Sequence, residues 1–305
     1  MKSNNLWSTI ARALDGEYKP RQIITVENFS VGGGRTLIIA GPCSIRDEDS
    51  YRSNIEKVLA AGADIIRGGA FKPRTNPVSF QGLGKQALEI VTKVKKDYNV
   101  GYACEVTGEF RYPVDANVLP LSPDKARELE RNRFSVIDHV CDVANLPWIG
   151  SRNCQSYDLI QSLAIKAIVL NKPIMLKRGY WMTIDEYCLA LEYVARLGCQ
   201  VIACLRGVGV ADGYRYRPDI SDIYILKERL TIPVVVDPSH MAGDYRYVEQ
   251  LSRDAIFAGA DGLIIETSED RDVELSDQGQ AITPDVLKNI IEFARNFEKS
   301  RIGGV

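Results

Sequence analysis

Four side chains of types that commonly bind transition metals are spread along the 305-residue sequence. They are a thiol, an imidazole and two carboxylates: Cys43, His240, Glu266 and Asp277. Such a set suits one divalent ion of Mn, Fe, Co or Zn. Their spacing is not local, so they can act together only if the fold brings distant segments to one place. The second histidine, His139, lies in a segment of helical periodicity and is expected to have a packing or surface role.

Cationic side chains form a second group, and most of them stand directly after a short apolar run. They are Arg67, Lys72, Arg74, Arg152, Lys177 and Arg206. Six cations at one place would repel each other strongly unless their ligand is anionic. Guanidinium groups match the oxygens of phosphates and carboxylates, so the set favours a polyanionic small molecule. A single arginine of this kind would more often belong to a structural ion pair.

The apolar runs that carry these residues have the length of β-strands and alternate with amphipathic segments of helical period. The predicted strands cover 36–41, 63–68, 100–106, 146–150, 172–178, 200–206, 232–238 and 261–266. They are continuously apolar, as parallel strands covered on both faces are. Eight strand–helix units predict an α/β fold, a (β/α)₈ TIM barrel, with an open doubly wound sheet as the alternative. In a barrel the strand ends converge, and so would the two groups of side chains.

We predict one catalytic barrel over residues 36–305, preceded by an N-terminal extension over 1–35 that forms a short cap. The stretch 108–134 is long for a strand–helix connection, which predicts an insertion after the third strand. Strand-to-helix loops form the active face of a barrel, so the insertion should lie beside the site. A surface loop without a role is the alternative.

Composition excludes several function classes. The net charge of −2 shows no basic excess, so no nucleic-acid partner is expected. No apolar run reaches the roughly 18 residues of a membrane span, and the first 20 residues do not resemble a secretory signal. Seven scattered cysteines, an odd number, are typical of reduced thiols. We therefore expect a cytoplasmic protein.

The motifs GPCS, RGGAFKPRT, IGSRN, LKRG, LRG and VDPSH occur in this order and are followed by Glu266 and by LSD ending at Asp277. Together they resemble the class I 3-deoxy-D-arabino-heptulosonate 7-phosphate (DAHP) synthases, in the subgroup related to the 3-deoxy-manno-octulosonate 8-phosphate synthases. The resemblance runs from about residue 36 to 295. The form KPRT at 72–75 favours the heptulosonate branch.

The resemblance implies a metal-dependent, C–C bond-forming transferase of aromatic amino acid biosynthesis. Phosphoenolpyruvate, erythrose 4-phosphate and water would give DAHP and phosphate, the first step of the shikimate pathway. The four candidate ligands match the family's metal ligands. The implied phosphoenolpyruvate-binding residues are Arg67, Lys72, Arg152, Lys177 and Arg206. The implied aldehyde-binding residues are Lys72, Pro73, Arg74, Thr75 and Asp237. A homodimer or homotetramer is expected.

Placement at strand ends makes Lys72 and Lys177 candidate proton donors and Glu105 a candidate for orienting water. Segments expected on the aldehyde side, at 108–134 and 208–219, depart from the family's pattern. The same condensation with a different aldehyde, in a specialised pathway, is therefore an alternative. A Schiff-base aldolase that uses Lys177 is an alternative from another class of enzyme. A non-catalytic, ligand-sensing barrel is the remaining one.

Overall fold

The computed structural model describes residues 6–14, 16–76, 78–112, 121–209, 216–276 and 278–302. Two short antiparallel hairpins come first, β1 (Ala13–Leu14) with β2 (Glu17–Tyr18), and β3 (Ile24–Val26) with β4 (Phe29–Val31). The barrel strands follow: β5 (Leu37–Gly41), β6 (Ile65–Arg67), β7 (Gly101–Val106), β10 (Leu146–Ile149), β11 (Ile174–Lys177), β12 (Val201–Leu205), β13 (Val234–Val236) and β14 (Gly262–Glu266).

These eight strands are parallel and form a closed barrel in chain order. Closure occurs between β14 and β5, where Glu266 pairs in register with Gly41. Each strand lies within a segment predicted from the apolar runs. The predicted (β/α)₈ barrel is therefore confirmed, and the open sheet is excluded.

Helices cover the outside of the barrel: α1 (Glu48–Ala60), α2 (Lys85–Tyr98), α4 (Val136–Val143), α5 (Tyr157–Val169), α6 (Ile184–Arg196), α7 (Ser221–Arg229), α9 (Tyr245–Phe257) and α10 (Pro284–Ile302). Local capping explains several of their starts. Asp47 accepts the backbone N–H of Ser50 at α1, and Thr183 forms a capping box with Glu186 at α6. The short helix α8 (Pro238–Ala242) follows β13 directly. None of the described helices is long and apolar enough to cross a membrane.

Apolar side chains from the inner faces of the strands fill the barrel, among them Ile39, Met175 and Ile264. Hairpin β3–β4 adds Ile24, Val26 and Val31 to the same cluster, and all three are fully buried. This hairpin belongs to the predicted N-terminal extension. It closes the end of the barrel at which the strands begin.

The insertion after β7 contains a small hairpin of β8 (Phe110–Arg111) and β9 (Phe134–Ser135) with α3 (Pro123–Asn132) between them. Arg111 Nη1 donates to the carbonyl of Gln81 over 3.1 Å, and its guanidinium lies 5.4 Å from the centre of the Phe71 ring. The described parts of 108–134 thus lie against the loop after β6. That loop carries Lys72.

Candidate active site

A polar cleft opens at the carboxyl ends of the barrel strands. The predicted site residues that line it are Arg67, Lys72, Pro73, Glu105, Arg152, Lys177, Arg206, His240 and Glu266. They come from β6, β7, β11 and β14 and from the loops after β6, β10, β12 and β13. Barrel closure therefore brings together side chains that are up to 199 residues apart in sequence, as for Arg67 and Glu266.

Arg67 ends β6, and only 3% of its surface is exposed. Its Nη2 donates to Glu266 Oε1 over 3.1 Å, and its guanidinium lies 5.4 Å from the centre of the Trp148 ring. Burial lowers the pKa of Arg67, but Glu266, Cys43 and other acidic groups raise it above its ordinary value. Arg67 Nε and Nη1 have no hydrogen-bond partner among the described residues. The side chain is a permanent cation with N–H donors left for an anion.

Lys177 ends β11 and lies beside the same indole, with Nζ 5.7 Å from the centre of the Trp148 ring. It pairs with the fully buried Asp237, whose Oδ2 lies 2.5 Å from Nζ. Asp237 also accepts the backbone N–H of His240 over 2.8 Å, and its Oδ2 lies 2.9 Å from His240 Nδ1. Burial raises the pKa of Asp237, but His240 and Lys177 hold it well below its usual range. Burial likewise lowers the pKa of Lys177, and Asp237 raises it above the ordinary value.

Cys43 lies just after β5 and is buried. Lys72 Nζ lies 2.9 Å from its Sγ and 3.0 Å from its carbonyl oxygen. Close approach of the neighbouring backbones sets this position, because a Cβ on Gly41 would lie 2.2 Å from the carbonyl oxygen of Arg67. The glycine of the GPCS motif thus allows β5 and β6 to place the thiol and the lysine side by side.

Two further arginines complete the cationic wall. Arg206, 7% exposed, lies between two aromatic rings, 5.8 Å from the centre of Tyr180 and 5.7 Å from that of Tyr216. Arg152 is exposed and donates from Nη1 to the carbonyl of Pro73 over 2.9 Å. This contact joins the loop after β10 to the loop after β6. Arg152 therefore stands nearer the opening than Arg67 and Lys177.

Glu105 lies on β7 with its carboxylate against Gly150. A Cβ at position 150 would lie 1.9 Å from Glu105 Oε1, so only glycine fits there. Only some of the predicted aldehyde-binding residues lie at the cleft. Pro73 lines the cleft and Asp237 lies buried beneath it, whereas Arg74 and Thr75 are not part of its wall.

Residue types alone did not point to Trp148, Tyr180 or Ser151, although all three line the cleft. Trp148 lies inside an apolar strand, where a sequence indicates only burial. Tyr180 directly follows the motif LKRG, and Ser151 lies within IGSRN. Tyr180 and Ser151 could have been predicted to line the site because they lie next to or within these motifs.

The structure describes three of the four predicted metal ligands: Cys43, His240 and Glu266. Asp277 lies outside the described residues. Among the residues that are described, no group of three or more His, Cys, Asp or Glu side chains is close enough to hold a metal ion. Cys43, Glu266 and His240 instead contact Lys72, Arg67 and Asp237, as given above. Glu266 Oε2, however, is buried and has no hydrogen-bond partner in the described part of the chain. Such an orphaned carboxylate oxygen fits a missing cation.

Fold and cleft together define a (β/α)₈ barrel with a cation-lined cleft at the carboxyl ends of its strands. The model of the DAHP synthetase I family matches residues 21–301, and the chain belongs to this family. Phospho-2-dehydro-3-deoxyheptonate aldolase of Thermotoga maritima is 33% identical over 279 residues, which are 90% of this chain and 74% of that protein. 2-Dehydro-3-deoxyphosphooctonate aldolase of Francisella tularensis subsp. holarctica is 26% identical over 90% of this chain and 95% of that protein.

Solved structures agree with this assignment. The crystal structure of the Thermotoga maritima phospho-2-dehydro-3-deoxyheptonate aldolase has a TM-score of 0.80 and 30% identity, covering 95% of this chain and 76% of that one. A truncated form of 3-deoxy-D-arabino-heptulosonate 7-phosphate synthase from the same organism has a TM-score of 0.78 and 27% identity, covering 97% and 98%. The match thus spans nearly the whole of this chain and nearly the whole of the truncated relative.

Proposed function

We propose that this protein condenses phosphoenolpyruvate with erythrose 4-phosphate and water to give DAHP and phosphate. The observation that carries the proposal is the cluster of buried cations in the cleft. Arg67, Lys177 and Arg206 are 3%, 5% and 7% exposed and line one cleft. Buried cations are costly unless they are paired, so a ligand that carries a phosphate and a carboxylate would complete their pairing.

The reaction makes one C–C bond and one C–O bond, the latter to the oxygen of water, and breaks the C–O bond to the phosphate. C3 of phosphoenolpyruvate attacks the aldehyde carbon, water adds at C2, and phosphate leaves with the bridging oxygen. The aldehyde oxygen takes up a proton and becomes a hydroxyl group. Negative charge is concentrated on the phosphoryl and carboxyl groups throughout, where Arg67, Arg152 and Arg206 would bind and orient it.

Lys72 and Lys177 are the proposed proton donors. Glu105 is the residue proposed to orient the water. The pKa of Lys177 is raised by Asp237, so its amine carries a proton at neutral pH. A protonated amine can hold an anion or donate a proton, but it cannot attack a carbonyl. This disfavours the Schiff-base alternative, which requires a neutral Lys177. Borohydride reduction in the presence of DAHP, whose open-chain ketone could form an imine with a neutral lysine, should leave the protein mass unchanged.

We propose that Cys43, His240, Glu266 and Asp277 hold one divalent metal ion of Mn, Fe, Co or Zn. The donor types fit such an ion, and Glu266 Oε2 has no hydrogen-bond partner among the described residues. When bound, the ion would supply Lewis-acid polarisation of the aldehyde carbonyl.

Measurement of phosphate release from phosphoenolpyruvate tests the proposed reaction. With erythrose 4-phosphate the rate should be highest among a panel of phosphorylated aldoses, and the product should have the mass of DAHP. Omission of the aldehyde should abolish release. A strong rate with another aldehyde and a negligible one with erythrose 4-phosphate would contradict the choice of substrate but not the chemistry.

A second candidate is the same condensation with a five-carbon phosphorylated aldose. Relatives named 2-dehydro-3-deoxyphosphooctonate aldolase align over 83–92% of the chain at 24–27% identity. The KPRT motif at 72–75 and the higher identity to the heptonate enzyme favour erythrose 4-phosphate. Arabinose 5-phosphate in the same panel separates the two.

We propose that the protein forms a homodimer or homotetramer and is located in the cytoplasm. Helices α5 and α6 expose Ile165, Val169 and Tyr193, which are 55%, 75% and 42% exposed. Apolar surface of this kind favours a homodimer or homotetramer, and light scattering of the purified protein would measure the assembly. The seven cysteines are all free and buried, which suits the reducing cytoplasm.

A further inference from the structure

A second and larger cavity, of about 840 Å³, lies at the opposite end of the barrel. Its wall consists of parts of the N-terminal segment, at 12–21 and 32–36, the ends of α7, α9 and α10, and the turn before β14. Asp261, in this wall, directly precedes β14, whereas Glu266 of the active site ends the same strand. Five residues of strand rise roughly 16 Å, so the length of the barrel separates the two cavities.

Cationic side chains converge in this second cavity. Arg12 Nη1 and Arg21 Nη2 donate to the same oxygen, the carbonyl of Lys227, over 3.0 and 2.6 Å. Two guanidinium groups that share one acceptor must lie side by side, where their charges repel. The pKa of Arg21 is lowered, first by burial and then by Arg12. Lys227 and Arg301 line the same cavity and add two more cations.

The carboxylates of the wall do not balance these charges. Asp261 pairs with Lys227 over 2.7 Å, and its second oxygen accepts the backbone N–H of Val234. Glu298 accepts the backbone N–H of Thr36 and pairs with Arg295. Both acids are therefore already engaged. The third carboxylate in the wall, that of Glu228, is exposed to solvent.

Arg12, Arg21 and Arg301 form no ion pair with any described carboxylate. Arg12 Nε is moreover buried and has no hydrogen-bond partner within the described ranges. A guanidinium has five N–H donors, and Arg12 and Arg21 each give one to the carbonyl of Lys227. The cavity thus presents cations and N–H donors that no described carboxylate pairs with.

We propose that this cavity is a binding site for a small polyanion, a metabolite that carries at least two phosphate or carboxylate groups. Its volume lies within the roughly 300–1,000 Å³ of small-molecule sites. Paired guanidinium groups match the oxygens of such a ligand. Tyr18 and Tyr224 line the same cavity and give a carbon skeleton a surface to contact. A bound polyanion would tie the N-terminal hairpin to α7 and α10.

The site can be tested by calorimetric titration of the full chain with pyrophosphate and, separately, with citrate. Pyrophosphate should bind the wild-type protein at two classes of site, because the active-site cleft also takes phosphate. Arg21→Gln and Arg301→Gln should each weaken one class about tenfold, the effect of losing one charge-assisted hydrogen bond. Both should leave kcat/KM unchanged. Arg152→Gln should weaken the other class only.

Arg246→Gln, which removes an exposed arginine outside the cavity, is the matched control and should change neither class. Arg301 makes no side-chain hydrogen bond to a described residue, so its replacement tests the charge without disturbing a helix end. Citrate should compete with pyrophosphate at the site that Arg301→Gln weakens if carboxylates are accepted, and fail to compete if phosphate is required. A single class of sites that responds only to Arg152→Gln would overturn the proposal.

Discussion

Arg67 and Glu266 form a buried ion pair across the mouth of the barrel, with Nη2 and Oε1 3.1 Å apart and both side chains at most 3% exposed. The two residues end strands that are not neighbours, since β5 lies between β6 and β14. The pair thus links three strand ends. It also places a candidate metal ligand in contact with a candidate phosphoenolpyruvate ligand.

Replacing Glu266 by glutamine should reduce both metal binding and stability. The amide keeps the shape but loses the charge, and Arg67 is left buried without a counter-ion. Breaking a buried pair in this way costs about 3–5 kcal/mol. Urea unfolding with added Mn²⁺ and with chelator separates the two effects. If the variant binds Mn²⁺ as tightly as the wild type, Glu266 is not a ligand.

Asp237→Asn tests whether Asp237 keeps Lys177 charged. Burial would then lower the pKa of Lys177 without opposition, and kcat/KM for phosphoenolpyruvate should fall at least about a hundredfold, as when a site loses one preorganised donor.

Asp222→Asn is a matched control for this variant. It breaks the neighbouring buried pair of Asp222 with Arg178, which does not line the cleft. Both variants should lose stability in thermal melting, but only Asp237→Asn should lose most of its activity. Equal losses of activity would mean that Asp237 acts through folding alone.

Removing the metal should inactivate the enzyme reversibly. Dialysis against chelator should abolish phosphate release, and one equivalent of Mn²⁺, Co²⁺ or Zn²⁺ should restore it. Cys43→Ala should lower the bound metal, measured by mass spectrometry of the elements, and should not be rescued. Cys199→Ala, which changes a buried cysteine between α6 and the start of β12, should retain metal and activity. Full turnover in a metal-free preparation would refute the metal site.

Asp47 should contribute stability that depends on pH. It caps α1 and contacts Arg46, and the bond with Arg46 and then that with the Ser50 backbone lower the pKa of Asp47 from 3.8 to about 2. Because the folded pKa is depressed, the contribution is complete above pH 3.8 and is lost as the pH falls towards 2.

At pH 7 we expect Asp47→Ala to cost about 1 kcal/mol, the usual value of a helix cap, whereas Asp47→Asn keeps a capping side chain and costs less. Thermal melting at pH 7, 5 and 3 measures this. The difference between wild type and Asp47→Ala should narrow at pH 3. A constant difference would show that the charge of Asp47 does not contribute.

The barrel was predictable because its strands are continuous apolar runs with polar residues at their ends. Cys43, Arg67, Lys177 and Arg206 could be selected on that basis alone. The pairings between them could not, since Asp237 reaches Lys177 across 60 residues and only barrel closure defines the distance. Trp148 was missed because an indole inside an apolar strand looks the same whether it faces a helix or a ligand.

The cation-lined cavity was also beyond sequence reasoning. Arg12 and Arg21 lie in the short extension before the barrel, and Lys227 and Arg301 end helices more than 200 residues later. Basic residues in the last turn of a helix ordinarily indicate interaction with the helix dipole. Their convergence depends on how hairpin β1–β2 docks against α7, where Ala11 pairs with Leu230.

Hairpin β3–β4 has a consequence for access to the reacting atoms. Ile24, Val26 and Val31 pack into the end of the barrel at which the strands begin and close it. Among the described residues, the starting end of the barrel is therefore closed, and the cleft opens at the other end, where Arg152 stands exposed. A chain shortened past Ile24 would lose this closure, and the barrel would be open at its starting end as well. It would then admit bulk water beneath the buried charges on which the proposed chemistry depends.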